Sequence, residues 1–299
     1  MTPKEFVALQ SKLGLNIIEA GGVNWVVSDN GIAINTPSIE AIDCSSINIS
    51  EVVSKGAKAA LFIVDSCDNH ISNSAEYIFQ GDSYTLDIFK GKIRNQIKKG
   101  LKSCVIKQPT HKDLKTYGLN INREILLKQS RDVSYLTNDK KWYHYSQTLL
   151  SSQDVHCYGA YIDDILIGYV FFIKVGNKYY IYHPYSTREF SKYAPMNALL
   201  YTAMNDFLSF EDHIKVTYGL SSFYAKPQLD HFKKGMLFMQ VPVCRALMLP
   251  KYYSIILNKV GLFVMKKFSC FRKFDVFYEK YSAIYSAHRA YQCIAKKKV

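Results

Sequence analysis

The chain has 299 residues, enough to bury a sizeable core as one large domain or two modest ones. With 48% hydrophobic and 14% aromatic residues it excludes long disordered stretches, and its seven cysteines exclude a disulfide scaffold. Those cysteines (44, 67, 104, 157, 244, 270 and 293) are odd in number and scattered, without CxxC or metal-ligand spacing, so they read as reduced thiols. The net charge of +13 is localised: from Arg245 to Val299 there are 12 Lys/Arg against 2 Asp/Glu, while residues 1–244 hold 26 against 23. The basic balance belongs to the tail and not to the body. The N-terminus shows no apolar run and no small-residue cleavage site, so the expectation is a cytoplasmic protein without a signal peptide.

In chain order, a helix is expected from Pro3 to Leu13, followed by a hairpin, NWVVSDNGIAINT, turning at Asn30-Gly31. A helix around Ser50 to Lys58 leads to the apolar strand AALFIVDS, and Tyr77 to Leu86 reads as extended. Next comes a basic helix, Ile88 to Lys102, with Ile88, Phe89, Ile93, Ile97 and Leu101 as its buried stripe. Its cations Lys90, Lys92, Arg94, Lys98, Lys99 and Lys102 are either a solvated face or a wall that attracts phosphate. The strand SCVIKQ follows, and residues 110–130 and 140–152 each read as helical.

Residues 157–238 are the most informative part of the chain. CYGAYI and DDILIGYVFFIKV form a strand pair, and Gly176-Asn177 turns it into a third strand, YYIYHPYS. Pro184 cannot donate to a ladder and marks an edge or a bulge there. A polar loop, TREFSKYAP, ends at Pro195, which suits helix entry because its missing amide costs nothing. The helix that follows carries Met196, Leu199, Leu200, Ala203, Met204, Phe207 and Leu208 as one apolar stripe. A strand, HIKVTYGL, and a short segment containing HFKKG complete the region. A strand that feeds a loop into a helix N-terminus makes a seat for a pyrophosphate, because loop amides and the positive end of the helix dipole point at the anion together.

The tail segment KYYSIILNKVGLFVMKKF is interrupted by Lys259, far short of the ~20 residues a membrane span requires. It reads as a helix packed on the body or on a partner, or as a basic amphipathic element on an anionic membrane surface.

On these residues the chain resembles a known family. The stretch from Gly159 to Gly235 resembles the C-terminal half of the Fem-like (FemAB-like) branch of the GNAT acyltransferase superfamily. The features that carry the likeness are Tyr185 to Pro195, the helix from Met196, Tyr218-Gly219 and Phe232-Lys233. The basic helix and strand LDIFKGKIRNQIKKGLKSCVIKQ (86–108) resemble the element that leads into that half. The resemblance implies an α+β (mixed α/β) fold of two GNAT-like halves, each a central mixed sheet flanked by helices, plus a basic C-terminal helical extension. The expected limits are 1–110, 111–245 and 246–299.

The resemblance also implies direct acyl transfer from acetyl-CoA or another acyl-CoA to an amine or hydroxyl, without a metal. Its expected setting is cell-surface polysaccharide assembly, on a lipid- or nucleotide-linked sugar, with contact at the inner membrane through the basic tail. The donor seat is then the loop Thr187 to Met196, with Arg188, Ser191, Lys192, Tyr193, Ala194, Met196 and Asn197 around the phosphates. This loop lacks the glycine-rich signature of typical acetyl-CoA enzymes. The thioester lies along the strand Tyr182 to Tyr185. His183, Tyr185, Glu189 and Tyr218 are rival groups for proton handling, although a lone strand histidine such as His183 is more often a satisfied structural residue. Lys233 matches the family's Phe-Lys pair and is expected to orient donor or acceptor.

No GxSxG, HExxH, Walker loop or GxGxxG occurs. Two other readings stay open. One is an aminoacyl-tRNA-dependent peptidyl transferase on a peptidoglycan precursor, although nothing resembles the helical arm usual in such relatives. The other is a non-catalytic GNAT-like binding module.

Overall fold

The computed structural model describes all residues except 44–46, 65–71, 132, 223–226, 251, 253–256, 258–262, 264–265, 267–274 and 298–299. The fold is mixed α/β, as the sequence leads one to expect. In chain order the first elements are α1 (Pro3–Lys12), β1 (Ile17–Ala20), β2 (Val23–Val27), β3 (Ile32–Asn35), β4 (Ala41–Ile42), α2 (Ile49–Ser54), β5 (Ala59–Val64) and β6 (Ser74–Gly81). They are followed by α3 (Gly91–Ser103), β7 (Val105–Lys107), α4 (His111–Asp113), α5 (Leu119–Lys128), α6 (Ser134–Thr137) and α7 (Asp139–Leu150). A π-helical turn, Leu114–Gly118, joins α4 to α5. The last group is β8 (Val155–Ile162), β9 (Ile165–Val175), β10 (Lys178–Ser186), α8 (Pro195–Phe210), β11 (Ile214–Leu220), α9 (Pro227–Gly235), β12 (Met239–Met248) and α10 (Asp275–Lys297).

The chain forms two compact units, and neither is continuous in sequence. The first takes Met1–Gly14, Ile78–Gly219 and His231–Met239; the second takes Leu15–Tyr77, Leu220–Asp230 and Gln240–Val299. The divisions thus fall elsewhere than the expected limits at 110/111 and 245/246. The reason is visible at the N-terminus. The Met1 ammonium pairs with Asp154 at 2.8 Å and donates to the Lys174 carbonyl, while Phe6 packs on Tyr180. These contacts hold α1, capped by a Thr2–Glu5 capping box, on the unit that contains β8 to β10.

In the second unit, β1, β2 and β3 form an antiparallel meander whose turn uses Gly31 at φ +86°. β3 runs parallel to β5, and β12 joins β5 antiparallel, Cys244 opposite Val64 through Met248 opposite Ala60. Trp25, Phe62 and Met248 fill its core, and Ala287 and Ala290 of α10 are buried. β1 and β12 carry no strong sequence signal; Pro242 inside β12 argues against a strand, and the residues before Cys244 are mostly exposed.

The first unit is built on the order β7-β8-β9-β10-β11. The first three pairings are antiparallel and β10–β11 is parallel, the pattern that a helix crossover such as α8 produces. Leu199, Leu200, Ala203, Met204 and Phe207 of α8 are buried, and Phe207 stacks on Tyr179 with ring centroids 4.1 Å apart. The helical stripe and its strand are therefore one packed core. The tail reading over 251–268 falls largely outside the described residues.

The basic helix departs from expectation. α3 buries Ile93, Ile97 and Gly100, but its Leu101 is 38% exposed, and Ile88 lies outside it, in a 3-10 turn (Leu86–Ile88), 43% exposed. Gly100 sets this rotation. A Cβ there would lie 2.7 Å from the Ala194 carbonyl oxygen and 2.8 Å from Ala198 Cβ, so only glycine admits this approach of α3 to the start of α8. Gly100→Ala should lower stability by about 1–3 kcal/mol despite alanine's better helix propensity. Denaturant titration checks this, and a neutral or stabilising result would show that the two helices are not in contact at this point.

Candidate acyl-transfer site

The centre of the candidate site is an interruption in β10. β10 pairs with β9 up to Tyr182 opposite Phe171, and pairing resumes at Tyr185 opposite Tyr169. Three steps on β10 thus face two on β9, which leaves one extra residue. His183 absorbs it at φ +49°, the left-handed region that non-glycine residues visit at a cost of about 1–2 kcal/mol. Pro184, beside it, needs no ladder partner. On the other side, the parallel pairing of β10 with β11 is Tyr179 opposite Val216 and Tyr180 opposite Thr217, whereas the strands run on to Ser186 and Leu220. Beyond Tyr180 the two strands part.

His183 sits in an aromatic box formed by Tyr135, Tyr145, Phe171, Tyr182 and Tyr185, with ring centroids 5.5–6.5 Å away. Its Nε2 shares a 2.8 Å hydrogen bond with the Tyr145 hydroxyl. Burial, reinforced by the nearby Arg131 charge, pushes its pKa down to about 3. His183 is therefore a neutral imidazole at physiological pH and a weak base. Of the two roles the sequence left open for His183, this favours the structural one over proton handling. Tyr145 was not legible as a site residue; its only sequence signal is a place among the apolar residues of a helix.

Tyr182 packs edge-on against Phe6 of α1, so its ring serves the N-terminal helix. Burial raises the phenol pKa of both Tyr185 and Tyr218, and their closeness raises Tyr218 further, because two phenolates there would repel. These two side chains belong to the two parting strands. Lys233 of α9 is only 3% exposed, and its Nζ lies 4.8 Å from the Tyr218 ring centroid. Phe232 and Phe238 enclose the same ring at 6.3 and 5.4 Å. The structure thus brings Lys233, Tyr218 and Tyr185 to one region.

The loop from β10 to α8 carries the other candidates. Arg188, Glu189, Ser191 and Lys192 are exposed, and Lys192 Nζ lies 5.0 Å from the Tyr193 ring centroid. The Arg188 amide donates to Glu124 at 3.3 Å. Thr187 Oγ1 is buried with no hydrogen-bond partner. Ala194 stands at φ +53°, ψ +46° as the N-cap of α8, Pro195 is its first residue, and no side chain caps this end. Met196 is half-buried in the first turn. Asn197 departs from its expected phosphate role: it is buried and its amide donates to Met236 Sδ at 3.3 Å, tying α8 to the end of α9.

An uncapped N-terminus on a sixteen-residue helix, an orphaned buried hydroxyl and two exposed cations form a donor set that fits the pyrophosphate of an acyl-CoA. Arg131, whose charge acts on His183, lines an open cavity of about 470 Å³ with Arg123, Leu126, Leu127, Ser130 and Thr137. A separate cavity of about 500 Å³ at the far end of α8, lined by Ile106, Val155, Tyr158, Thr202, Asp206 and Phe210 among others, holds none of the expected site residues. Among the described residues, no three His, Cys, Asp or Glu side chains gather as a metal ion would need.

Comparison with known proteins agrees with this geometry. Residues 91–218 match the family described as acetyltransferase (GNAT) domain. The match runs from the start of α3 to Tyr218 within β11. Among solved structures, FemX is 10% identical with a TM-score of 0.53, covering 80% of this chain and 89% of its own. The C-terminal domain of a putative lysylphosphatidylglycerol synthetase from Agrobacterium fabrum is 9% identical with a TM-score of 0.52, covering 86% and 91%. A conserved protein of unknown function from Bacteroides thetaiotaomicron is 10% identical with a TM-score of 0.50, covering 84% and 98%. At these identities the likeness is one of fold. No curated protein matches the chain.

The neutral state of His183 has a measurable consequence. The unfolded side chain binds its proton near pH 6.5, the folded one only near pH 3. Stability from this group is therefore complete above about pH 6.5 and is lost as pH falls through that window, by at most about 1.4 kcal/mol per pH unit. Between about pH 7 and about pH 5, His183→Gln should lose stability less steeply than the wild type in denaturant titrations. Equal slopes, or an imidazole resonance titrating near 6.5, would place the ring in water.

Proposed function

We propose that the protein is an acyltransferase that moves an acyl group from CoA to an amine or hydroxyl of a sugar-linked acceptor in cell-surface polysaccharide assembly. The observation that carries this reading is the parting of β10 and β11 immediately before an uncapped helix N-terminus whose loop holds a buried, unpartnered Thr187 hydroxyl. Acyl-CoA supplies an activated thioester carbonyl. The protein's own residues supply a seat, a charge and proton management.

The pyrophosphate is taken by the first-turn amides of α8, with Arg188, Ser191 and Lys192 from the loop. The acyl arm then runs between the parted strands. As the acceptor's nucleophilic atom attacks the carbonyl carbon, the C–S bond breaks and negative charge passes through the carbonyl oxygen to the thiolate. Lys233, a buried cation in this region, stabilises that charge where water is excluded. Tyr185 and Tyr218 keep their protons, because burial raises both, so either phenol can donate to the leaving sulfur. Glu189, exposed on the loop, is the carboxylate available to take the acceptor's proton. His183 acts as a neutral hydrogen-bonding group held by Tyr145. The acceptor enters by the Arg131 cavity, where a cation suits a phosphate-linked sugar. The polysaccharide setting itself rests on the resemblance to the Fem-like branch.

Calorimetry with acetyl-CoA should show binding that weakens about tenfold on Arg188→Ala and again on Lys192→Ala. In a CoA-release assay across nucleotide- and lipid-linked amino-sugars, Lys233→Met should cut kcat/KM by about 10²–10³ while acetyl-CoA still binds. A chain that neither binds acetyl-CoA nor releases CoA on any acceptor is not this enzyme.

A further inference from the structure

We infer that the outer face of α3 docks on an anionic membrane surface. Between Lys90 and Ser103 there are five lysines and one arginine and no acid. Arg94 turns inward, donating to the carbonyls of Asp87 and Phe89 at 3.0 and 2.9 Å. Lys90, Lys92, Lys98, Lys99 and Lys102 are exposed, and none takes part in an ion pair among the described residues. With Ile93, Ile97 and Gly100 facing the core, a pitch of 3.6 residues puts Lys98 and Lys102 on the outermost line of the helix, flanked by Lys92 and Lys99. The acids that precede the helix, Asp82 and Asp87, lie before its first turn and not among these lysines.

A purely solvated helix normally mixes signs, because like charges three and four residues apart destabilise it. Lys98, Lys99 and Lys102 are so spaced, and no acid relieves them. Such a face is stable where an external anion compensates it. The contact of Gly100 with Ala194 places it beside the loop of Arg188 and Lys192, so the cations extend well beyond what one CoA could engage.

The apolar neighbours decide which polyanion fits. Leu101, which an ordinary amphipathic helix would bury, stays exposed beside the lysine face, and Ile88, in the short turn ahead of α3, is exposed as well. Aliphatic side chains among lysines suit the boundary between headgroups and acyl chains. A nucleic-acid surface would instead call for aromatic rings to stack bases, and α3 has none. The acyl-donor loop would then lie close to the bilayer. This proposal does not depend on the transferase reading, since docking needs no turnover. It also differs from contact through the tail.

The test is co-sedimentation of the full chain with vesicles of phosphatidylcholine, with and without about one third phosphatidylglycerol, at about 0.1 M salt. The wild type should bind only the anionic vesicles, and more weakly as salt rises. Lys98→Gln with Lys102→Gln should lower partitioning about 30-fold, and Leu101→Ser should weaken it further. A control pair with the same charge change elsewhere on the unit, Lys4→Gln with Lys112→Gln, should leave it within a few-fold. Circular dichroism confirms that the variants fold, as expected for exposed side chains. The proposal is overturned by no anionic preference, by equal loss in the control pair, or by binding that persists in the Lys98/Lys102 variant. It is equally overturned if the α3 variant loses affinity for single-stranded RNA while vesicle binding is unchanged.

Discussion

One extra residue in β10 governs the geometry of the site. Up to Tyr182 the strand is paired with β9, and up to Tyr180 with β11; past these points it is committed only to β9, and with a shifted register. A regular strand would have kept its hydrogen bonds on both sides and closed the sheet. The bulge at His183, fixed by a left-handed φ and by Pro184, ends that pairing and sends the chain into a loop that stops at the α8 N-terminus. The strain is tolerated because the surroundings over-determine it. Tyr145 bonds the imidazole, five aromatic rings enclose it, and Phe6 holds Tyr182 in place.

The same constraint assigns the side chains their roles. Enclosure removes His183 from proton transfer by depressing its pKa, and it holds Tyr185 and Tyr218 protonated. The region of parted strands therefore contains neutral donors and one buried cation, Lys233. A site so equipped stabilises negative charge as it appears and is poorly suited to removing protons from a distance. Acyl transfer from a thioester makes that demand, since the leaving thiolate needs little protonation and the oxyanion needs a charge.

Much of this order was legible in the sequence. The strands β8 to β10, the Gly176-Asn177 turn, the stripe of α8 and the place of Pro184 each follow from local chemistry acting over a few residues, and the structure has all of them. What was not legible depends on contacts distant in sequence. Tyr145 meets His183 across 38 positions, and Asn197 gives its amide to Met236 across 39. α1 joins the unit of β8 to β10 through Met1 on Asp154 and Phe6 on Tyr180 and Tyr182, contacts more than 150 positions apart. The titration of His183 belongs to the same class: a suitable intrinsic pKa is a property of the residue, whereas the box that cancels it is a property of the fold.

The error about α3 teaches a more specific point. Periodicity placed Ile88 and Leu101 in the core, because an aliphatic stripe of that spacing would bury them if the helix packed along its most hydrophobic line. Packing was instead decided by size. Gly100 offers the only surface flat enough to meet the Ala194 carbonyl and Ala198, so the helix turns to present glycine and leaves Leu101 outside. A close helix contact at one small residue thus outweighs the burial of one leucine, worth about 1.5–3 kcal/mol when complete and less for a side chain only partly covered. The same rotation sets the lysines outward in one row and fixes the start of α8, so the approach of two helices at Gly100 shapes both the loop-to-helix junction at Pro195 and the basic face beside it.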